Sequence, residues 1–505
     1  MGAVSNIYLL IFLPLISSLL CQIFGKKNLS FFITITACIA TFLLALKIFP
    51  DVLIYEKISN DFELSPLSLA LEFKLDVLGA TFLLLLIFLK IVILFFYRSD
   101  FEKNLDEKNY RIFYSVFLLH LFSLVGIFTT NNLLNLFLFL EIYAFSFFAT
   151  LSISRDAALL KLSFHYFCLN AASSLLILFC FLVTYLIFGE INFDKIADNF
   201  SLISTANSWF LVIIFFLLTT ALLIKFFPLW LYFEKIKSGS LIANFLVIES
   251  LFIKTNVGIF LMLKFIYFFF GNHFLFVNFD FDPPLIFLAI LLISYSSFKL
   301  YQQKHLKLIA AYLCLNNLGF ILACIALQTI ESLQALFFYL LNFSLVNLFI
   351  FIFGTFLKRH FASSSINKIW LVRHSHFLLA LPLKFLIFSI AAFPLTILFF
   401  ANWYLAYSSL SLGFEAFLII VLILSNFVQI NLAIKLIGSF FSPKHADAKL
   451  EVAPISEMNL GFKKYQFYLI SFWFLIITIY CVTFSSGLVN GLSLRFASYL
   501  LSNSL

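Results

Sequence analysis

Three charged side chains stand in the middle of apolar stretches, where an ionised group is most expensive. Glu141 lies in LFLFLEIYAFSFF, Lys225 in ALLIKFFPLWLY and Lys254 in LVIESLFIKTNVGIFLML. Glu141 is about ten residues into its predicted helix, so at 1.5 Å per residue it lies about 15 Å deep, near the middle of a bilayer. A lone charge in lipid costs at least about 2.5–3.5 kcal/mol. We therefore expect the three side chains to face a polar interior and one another.

Such a group of charges could relay protons or could only fix the packing of helices. Burial disfavours the charged forms of glutamate and lysine, whereas a nearby opposite charge favours them. A Glu–Lys pair whose spacing changes would therefore bind or release a proton. The alternative is a static buried ion pair. Glu249, five residues before Lys254, would lie on roughly the opposite face of an α-helix, where it is a possible partner for another helix.

Four further lysines lie inside predicted spans. Lys47, Lys264 and Lys384 lie where a long side chain can carry its ammonium to the membrane interface, which is the interpretation we favour for them. Lys90 lies deep in LLLLIFLKIVILFF and could be either such a residue or part of a buried site.

The elements that carry these residues are predicted to be membrane helices. The chain has 505 residues, of which 63% are hydrophobic and only 11% are charged, against about 25% charged in soluble domains. Apolar windows of about 20 residues predict an all-α polytopic membrane protein with about fourteen transmembrane helices. The windows begin near Asn6, Leu29, Asp76, Ile112, Asn131, Leu159, Ser208, Ser240, Pro284, Leu306, Ser332, Phe377, Glu415 and Tyr465.

The remaining motifs argue against several other classes of site. No two of the seven cysteines form a C-x-x-C pair and the eight histidines lack metal spacing, so we expect no iron–sulfur cluster and no metal site. Neither G-x-G-x-x-G nor G-x-x-x-x-G-K occurs, so no nucleotide or other cofactor is expected in this chain. The net charge of +8 comes mainly from basic residues in alternate loops, which is the pattern of membrane orientation rather than of nucleic-acid binding.

Two predicted spans contain a proline at comparable positions. Pro228 follows Lys225 in the seventh span and Pro394 lies in FSIAAFPLTILFFANW in the twelfth. Helices five spans apart cross the membrane in opposite directions, which is typical of inverted repeats with discontinuous helices. We predict helices 1–3 in residues 1–110, a first five-helix repeat (helices 4–8) in 111–272, a second (helices 9–13) in 273–440, and a C-terminal loop and helix 14 in 441–505.

Several stretches, in this order, resemble the antiporter-like membrane subunits of proton-pumping NADH:ubiquinone oxidoreductase, respiratory complex I. The resemblance is closest to the subunit 2 type, subunit N of bacteria, and covers roughly residues 76–438. The stretches are LLNLFLFLEIYAFSFFATLSIS, LKLSFHYFCLNAASSLLILFCFLVTYLIFG, LLIKFFPLWLYFEKIKSGSLIANFLVIESLFIK, HLKLIAAYLCLNNLGFIL, ALFFYLLNFSLVNLFIF and FSIAAFPLTILFFANWYL.

This resemblance implies a role for the residues singled out above. Glu141 matches the fifth-helix glutamate of the family's proton path, Lys225 the seventh-helix lysine and Lys254 the central lysine of the eighth helix. The implied function is proton translocation as part of an enzyme complex whose NADH, FMN, iron–sulfur clusters and ubiquinone belong to partner subunits. The implied partners are other membrane-arm subunits, including further antiporter-like ones, and membrane lipids. The implied location, for a chain encoded in a mitochondrial genome, is the mitochondrial inner membrane.

The sequence departs from the family pattern at three positions. Asn402 stands where the twelfth helix usually carries a lysine, His165 where the sixth helix has a lysine, and Asn317 where the tenth often has a histidine. Asparagine cannot titrate, so we expect a titratable side chain or a water chain within about 3.5 Å of the Asn402 amide if that half of the path works; Lys90 and His165 are candidates. The alternatives are a cation/proton antiporter, or a structural complex I subunit whose channel has partly decayed.

Overall fold

A computed structural model describes residues 2–62, 71–104, 107–153, 157–200, 208–227, 241–270, 281–361, 364–370, 372, 377–410, 416–441, 462–484 and 486–502. Nearly all of them are helical, which confirms the prediction of an all-α membrane protein.

The first half contains ten α-helices and one short antiparallel hairpin among its described residues. Their bounds are α1 (Gly2–Phe24), α2 (Lys27–Tyr55), β1 (Lys57–Phe62), β2 (Leu71–Asp76), α3 (Val77–Asn104), α4 (Glu107–Thr129), α5 (Leu133–Ser152), α6 (Ala157–Phe188), α7 (Phe193–Phe200), α8 (Ser208–Phe226), α9 (Leu241–Ile248) and α10 (Thr255–Leu263).

The regular elements of the second half are all helices among its described residues. Its elements are α11 (Asp282–Gln302), α12 (Leu306–Leu327), α13 (Ile330–Leu341), α14 (Asn347–Phe361), a 3₁₀ turn (Ile366–Lys368), α15 (Phe377–Ile390), α16 (Ile397–Leu410), α17 (Ala416–Phe441), α18 (Phe462–Phe484) and α19 (Ser486–Ser502).

Eleven helical segments of the described chain are long and apolar enough to cross a membrane, and each coincides with one of the fourteen predicted spans. The other three predicted spans are the seventh, the twelfth and the fourteenth. In the described residues they contain shorter or interrupted helices: α8, the pair α15 and α16, and the pair α18 and α19. The count of fourteen transmembrane helices therefore stays a prediction, and the four-part division of the chain does as well.

The chain divides into two compact units, residues 1–278 with 499–505, and residues 279–498. In the first unit the most enclosed described span is Asn244–Phe269, in which 94% of the residues of the apolar stretch are buried, against 33% in Ser163–Phe188. In the second unit Leu306–Leu327 and Ile330–His360 are the most enclosed, at 89% each. A helix enclosed by other helices can carry polar side chains that would be unfavourable on a lipid-facing helix. These three spans are therefore favourable places for buried polar side chains.

Two of the three enclosed spans, Asn244–Phe269 and Ile330–His360, are not regular α-helices. Glu249–Lys254 and Lys264–Phe269 form π-helical turns on either side of α10, and Asn342–Val346 forms another between α13 and α14. A π-turn pairs residues i and i+5, so residues five apart lie closer in angle than the roughly 140° that separates them in an α-helix. Glu249 and Lys254 are therefore nearer to one face than the sequence predicted.

The twelfth predicted span is interrupted, as expected for a discontinuous helix. Between α15 and α16, residues 391–396 leave the helical conformation around Pro394. Ala392 and Leu395 adopt φ values of +51° and +70°, which are unfavourable for residues with a side chain. Pro394 has no N–H to donate and disfavours a helical conformation in the residue before it. In the seventh span α8 ends at Phe226, and Pro228 lies outside the described residues.

The hairpin is an element that the sequence analysis missed. Strand β1 pairs with β2 from Lys57 opposite Asp76 to Phe62 opposite Leu71. Lys74 of β2 donates to Asp194 Oδ1 at 2.6 Å, and Asn131, before α5, donates to Asp194 Oδ2 at 3.0 Å. The ion pair of Lys74 with Asp194 thus connects the hairpin to α7, and the hydrogen bond from Asn131 connects the same carboxylate to the start of α5.

Replacing Asp194 by asparagine is expected to lower the melting temperature at pH 7 by about 1–3 °C, because the pair is half-exposed and exposed pairs contribute little. Burial alone would raise the pKa of the Asp194 carboxyl, but the charge and hydrogen bond of Lys74, with Asn131, lower it. The ionised pair therefore stabilises the fold at neutral pH. That contribution is lost as the pH falls below the ordinary carboxyl range near 3.9 and through the lower folded pKa.

Thermal denaturation of the purified protein at several pH values measures this effect. The difference between wild type and Asp194→Asn is expected to close at acidic pH. Glu190→Gln is the control, since its carboxylate faces Lys195 at 3.7 Å with both side chains exposed. A difference for Asp194→Asn that stays constant across the whole pH range would contradict the role of the ionised carboxylate.

Candidate functional site

Glu141 and Lys225 form an ion pair in the first unit, together with a serine from a third helix. Lys225 Nζ of α8 lies 2.9 Å from Glu141 Oε1 of α5. Ser174 Oγ of α6 donates to the same carboxylate oxygen at 2.5 Å, and Lys225 Nζ donates to Ser174 Oγ at 2.7 Å. Three helices therefore meet at one carboxylate oxygen.

The local sequence explains how these groups are held. Asn132 caps α5, since its side chain accepts from the Leu134 N–H at 2.9 Å, and this fixes the start of the helix that carries Glu141. Lys225 lies in the last turn of α8, where the exposed carbonyl groups of a helix favour a cation. Its side chain is only 1% exposed, whereas that of Glu141 is 22% exposed. The charged form of Lys225 is therefore stabilised mainly by Glu141, whereas the charged form of Glu141 is also stabilised by its partial exposure.

Lys254 has a different environment, although it is equally buried. It ends the π-turn after α9, and its Nζ makes no hydrogen bond to any residue that the structure describes. It lies 3.9 Å from the ring centroid of Tyr166 and 5.6 Å from that of Phe147. Ring faces stabilise an ammonium by about 0.5–2 kcal/mol, against about 4 kcal/mol for a carboxylate at 4 Å in a medium of dielectric constant 20. The Lys254 amine is therefore not locked into its charged form as Lys225 is.

Close packing brings α8 against the helix of Lys254. A Cβ added at Gly258 of α10 would lie 2.8 Å from the Cβ of Phe226, the residue after Lys225. Glycine at this position is what lets the end of α8 approach α10. Two ammonium groups on either side of this contact would repel each other. A change of charge on either lysine is therefore felt by the other.

Lys90 is also buried, and it lies in a second polar cluster of the first unit. Its Nζ lies 2.9 Å from Glu249 Oε1 and 2.7 Å from His120 Nδ1, over the ring of Phe117 at 4.3 Å. Glu249 thus has a partner on another helix. Lys90 does not have the interfacial position that would explain a lysine in a membrane span, because its side chain is 1% exposed.

Sequence reasoning missed two members of these clusters. His120 stands in an apolar span, which was a usable signal, because an ionisable residue in such a span is a candidate functional residue. Ser174 gave no such signal, because serine is common in membrane helices and only the inter-helix contact shows its role.

The other candidate residues lie elsewhere. His165 is exposed on α6, and Pro394 lies in the break between α15 and α16. In the second unit Asn402 accepts from Tyr339 Oη at 2.7 Å and donates to Asn426 Oδ1 at 3.0 Å. The phenol is a titratable group within the expected distance, but it is neutral at physiological pH. Asn402 has no charged neighbour within hydrogen-bonding distance among the described residues.

The interfacial interpretation of the remaining lysines fits them unequally. Lys47 is exposed and Lys384 is partly exposed. Lys264 is 4% exposed, and its Nζ donates to the Thr130 carbonyl at 2.6 Å. Its ammonium therefore ends on a backbone carbonyl, which shows that it is a buried structural contact within this chain.

Uncharged polar side chains form a separate cluster in the second unit. Asn316 of α12 donates to Ser296 and Ser297 of α11, both at 3.1 Å, and accepts from Ser425 and Gln429 of α17, also at 3.1 Å. Its neighbour Asn317 is buried. No group of three or more histidine, cysteine, aspartate or glutamate side chains suited to a metal ion occurs among the described residues.

Comparison with known proteins gives this arrangement a context. Subunit N of the NADH-quinone oxidoreductase of Wolbachia sp. subsp. Brugia malayi (strain TRS) is 24% identical over 334 residues, 65% of this chain and 70% of the relative. The fold is shared with a chain of the Mrp complex from Dietzia sp. DQ12-45-1b, with a TM-score of 0.80, 16% identity, and 99% and 98% of the two chains covered. It is also shared with a chain of respiratory complex I from Thermus thermophilus, with a TM-score of 0.72, 17% identity, and 98% and 99% covered.

The family assignment rests on a match to a family model. Residues 130–428 match the family model described as "NADH:quinone oxidoreductase/Mrp antiporter, TM", and they include Glu141, Lys225, Lys254 and Asn402. Since this match spans more than half of the 505 residues, the chain belongs to the family of NADH:quinone oxidoreductase and Mrp antiporter membrane subunits.

Proposed function

We propose that this chain is a proton-translocating, antiporter-like subunit of a respiratory complex I. The observation that carries the proposal is the ion pair of Glu141 with the buried Lys225, close to Lys254, which is a buried amine without a carboxylate partner among the described residues. One lysine held by a carboxylate and a second held only by ring faces are suited to exchanging a proton. The subunit N relative supports the choice of complex.

The proposed step moves one proton between the two lysines. At rest Lys225 is an ammonium held by Glu141, and Lys254 is a neutral amine. When the Glu141 carboxylate withdraws, Lys225 loses the contact that stabilises its charge. An N–H bond of Lys225 then breaks and one forms at Lys254, so the charge moves and no proton is lost. Return of the carboxylate favours reloading of Lys225, and repulsion between the two ammonium groups favours release from Lys254.

The energy for this cycle would come from partner subunits. In the proposed complex, NADH, FMN, iron–sulfur clusters and ubiquinone belong to other chains, and further antiporter-like subunits lie beside this one in the membrane arm. We further propose a mitochondrial inner membrane location, because 74 phenylalanines in 505 residues are typical of an AT-rich genome and organellar genomes are often of this kind.

A second candidate function is cation/proton antiport without redox chemistry. It is favoured by the fold shared with the Mrp complex chain, at a TM-score of 0.80. The same lysines would then exchange protons for a cation. A third possibility, a structural subunit with a partly decayed channel, is suggested by the uncharged neighbours of Asn402.

Purification of the tagged chain from its native membranes distinguishes these functions. We expect it to migrate in a large particle that oxidises NADH and reduces quinone, and to fractionate with inner mitochondrial membranes. Deletion of the chain, as the matched control, should remove the intact particle. A particle with cation/proton exchange but no NADH oxidation would instead establish the antiporter, and wild-type pumping by assembled Glu141→Gln and Lys254→Met variants would leave the structural role.

A further inference from the structure

The first unit contains a second carboxylate–lysine pair, to which the proposed step above assigns no role. Lys90 of α3 bonds to Glu249 Oε1 at 2.9 Å and to His120 Nδ1 of α4 at 2.7 Å. The side chains of Lys90 and Glu249 are 1% and 4% exposed, and His120 is equally buried. Three helical segments thus place an amine, an imidazole and a carboxylate in contact, away from solvent.

The imidazole makes this cluster more than an ion pair. In contact with an ammonium, Nδ1 of His120 must act as an acceptor, so a neutral ring carries its proton on Nε2. Nε2 makes no hydrogen bond to any described residue, and neither does Glu249 Oε2. A histidine held in this way can take up a proton at Nδ1 and release one at Nε2, which a static pair does not require.

The His120 imidazole lies close to the aromatic residues that surround Lys254. The His120 ring lies 4.3 Å from that of Tyr143 and 6.3 Å from that of Phe147. Phe147 in turn lies 5.6 Å from Lys254 Nζ, so the imidazole and the amine flank the same ring.

Two phenols line this region. Tyr143 and Tyr166 are buried, and their hydroxyl groups make no hydrogen bond to a described residue. A buried hydroxyl normally has a partner, so these groups are the natural members of a hydrogen-bonded bridge between His120 and Lys254. Two buried hydroxyl groups with spare hydrogen-bonding capacity therefore belong to the rings beside His120 and Lys254.

We propose that Lys90, His120 and Glu249 form a second proton-holding site, which exchanges protons with Lys254 through the His120 imidazole. In this step an N–H bond of Lys90 breaks and Nδ1 gains the proton. Nε2 then gives up its own proton, which reaches the Lys254 amine through the bridging hydroxyl groups, each of which accepts one proton and donates one. Lys90 is left as an amine hydrogen-bonded to Glu249. The site is restored when Nε2 takes up a proton from the aqueous phase and Nδ1 returns its proton to the Lys90 amine, so that one proton has moved to Lys254. The proposal rests on the proposed proton translocation and adds a store of one proton to it.

The first test is His120→Gln, which changes no charge and retains hydrogen-bonding groups but cannot titrate. We expect the assembled complex to pump protons at least about threefold more slowly in sealed vesicles, a modest part of the 10²–10⁴-fold that a positioned acid–base group contributes, because water can partly replace it. The solvent isotope effect on pumping is expected to change as well. Lys47→Met, at an exposed lysine in a membrane span, is the control and should pump normally.

The second test separates proton storage from helix packing. The double variant Lys90→Met/Glu249→Gln removes both charges of the pair, so no unpaired buried charge hinders assembly. We expect it to assemble and to pump as slowly as His120→Gln. Wild-type pumping and isotope effect in both the double variant and His120→Gln would overturn the proposal and leave a packing contact.

The two levels of the proposal fail differently. If Lys254→Met pumps normally in an assembled complex, the proposed function itself is wrong. If Lys254→Met is impaired whereas His120→Gln and the double variant are normal, only the second proton-holding site is refuted.

Discussion

Lys254→Met is expected to assemble into the complex and to slow proton pumping by about tenfold or more, since a positioned acid–base group commonly contributes 10²–10⁴-fold. Assembly is expected because Lys254 has no carboxylate partner among the described residues, so its removal strands no buried anion. Methionine also suits the ring faces of Tyr166 and Phe147 that now hold the amine, because its sulfur makes favourable contacts with aromatic rings.

The measurement is the initial rate of NADH-driven acidification or alkalinisation in sealed vesicles, normalised to the amount of assembled complex. Lys254→His provides a rescue arm: a smaller side chain that can still titrate should recover part of the rate. Lys47→Met controls for the loss of a lysine from a membrane span without the loss of a buried amine. Unchanged pumping in assembled Lys254→Met would remove the central residue from the proposed path.

The charged residues of the candidate site could be predicted from the sequence. The expense of a charge in hydrocarbon identified Glu141, Lys225 and Lys254 as residues that should share a polar interior, and the structure places all three in the first unit. The pairing of Glu141 with Lys225 follows from the same argument, because opposite charges reduce the cost of burial. Helix positions were predictable because an apolar run long enough to span a bilayer has few other structures available.

The partners of Lys90 were not predictable, because the one-dimensional pattern gives no contacts between helices. Glu249 belongs to an α-helical pattern in the sequence, and only the π-turn from Glu249 to Lys254 shows that the two residues lie closer to one face. A π-turn has no strong sequence signal, since it depends on packing around the inserted residue. The second cluster was therefore visible as separate charges but not as a site.

The hairpin was missed for a different reason. Its strands, Lys57–Phe62 and Leu71–Asp76, are too short for a 20-residue apolar window to mark them. The first strand, KISNDF, has no clear two-residue alternation. The second, LEFKLD, does alternate apolar with charged residues, which was a usable signal for a strand. The stability of the hairpin depends on contacts such as Lys74 with Asp194, which are far apart in the sequence. Similarly, the sequence identified Asn402 as a departure from the family, but the hydrogen bonds to Tyr339 and Asn426 required the structure.

Glu141→Gln is expected to slow pumping several-fold while assembly survives. Glutamine keeps the shape of the side chain and an oxygen that can accept from Ser174 and Lys225, but it removes the negative charge 2.9 Å from the Lys225 ammonium. Breaking a fully buried ion pair typically costs about 3–5 kcal/mol, and the cost here should be lower because 22% of the Glu141 side chain is exposed. The protein is therefore expected to fold, with a lysine that no longer holds its proton at rest.

The effect should come from the charge and not from the hydrogen bond, and the site offers a matched comparison. Ser174→Ala removes the hydroxyl that bridges the pair, at 2.5 Å from Glu141 and 2.7 Å from Lys225, but leaves both charges. Its pumping should fall less than that of Glu141→Gln. Glu141→Asp keeps the charge at a greater distance from Lys225 and should lie between the two. Equal losses in Ser174→Ala and Glu141→Gln would assign the effect to packing around α6. A wild-type rate in assembled Glu141→Gln would leave the carboxylate a static partner of Lys225, because the proposed step needs a negative charge that moves toward and away from Lys225.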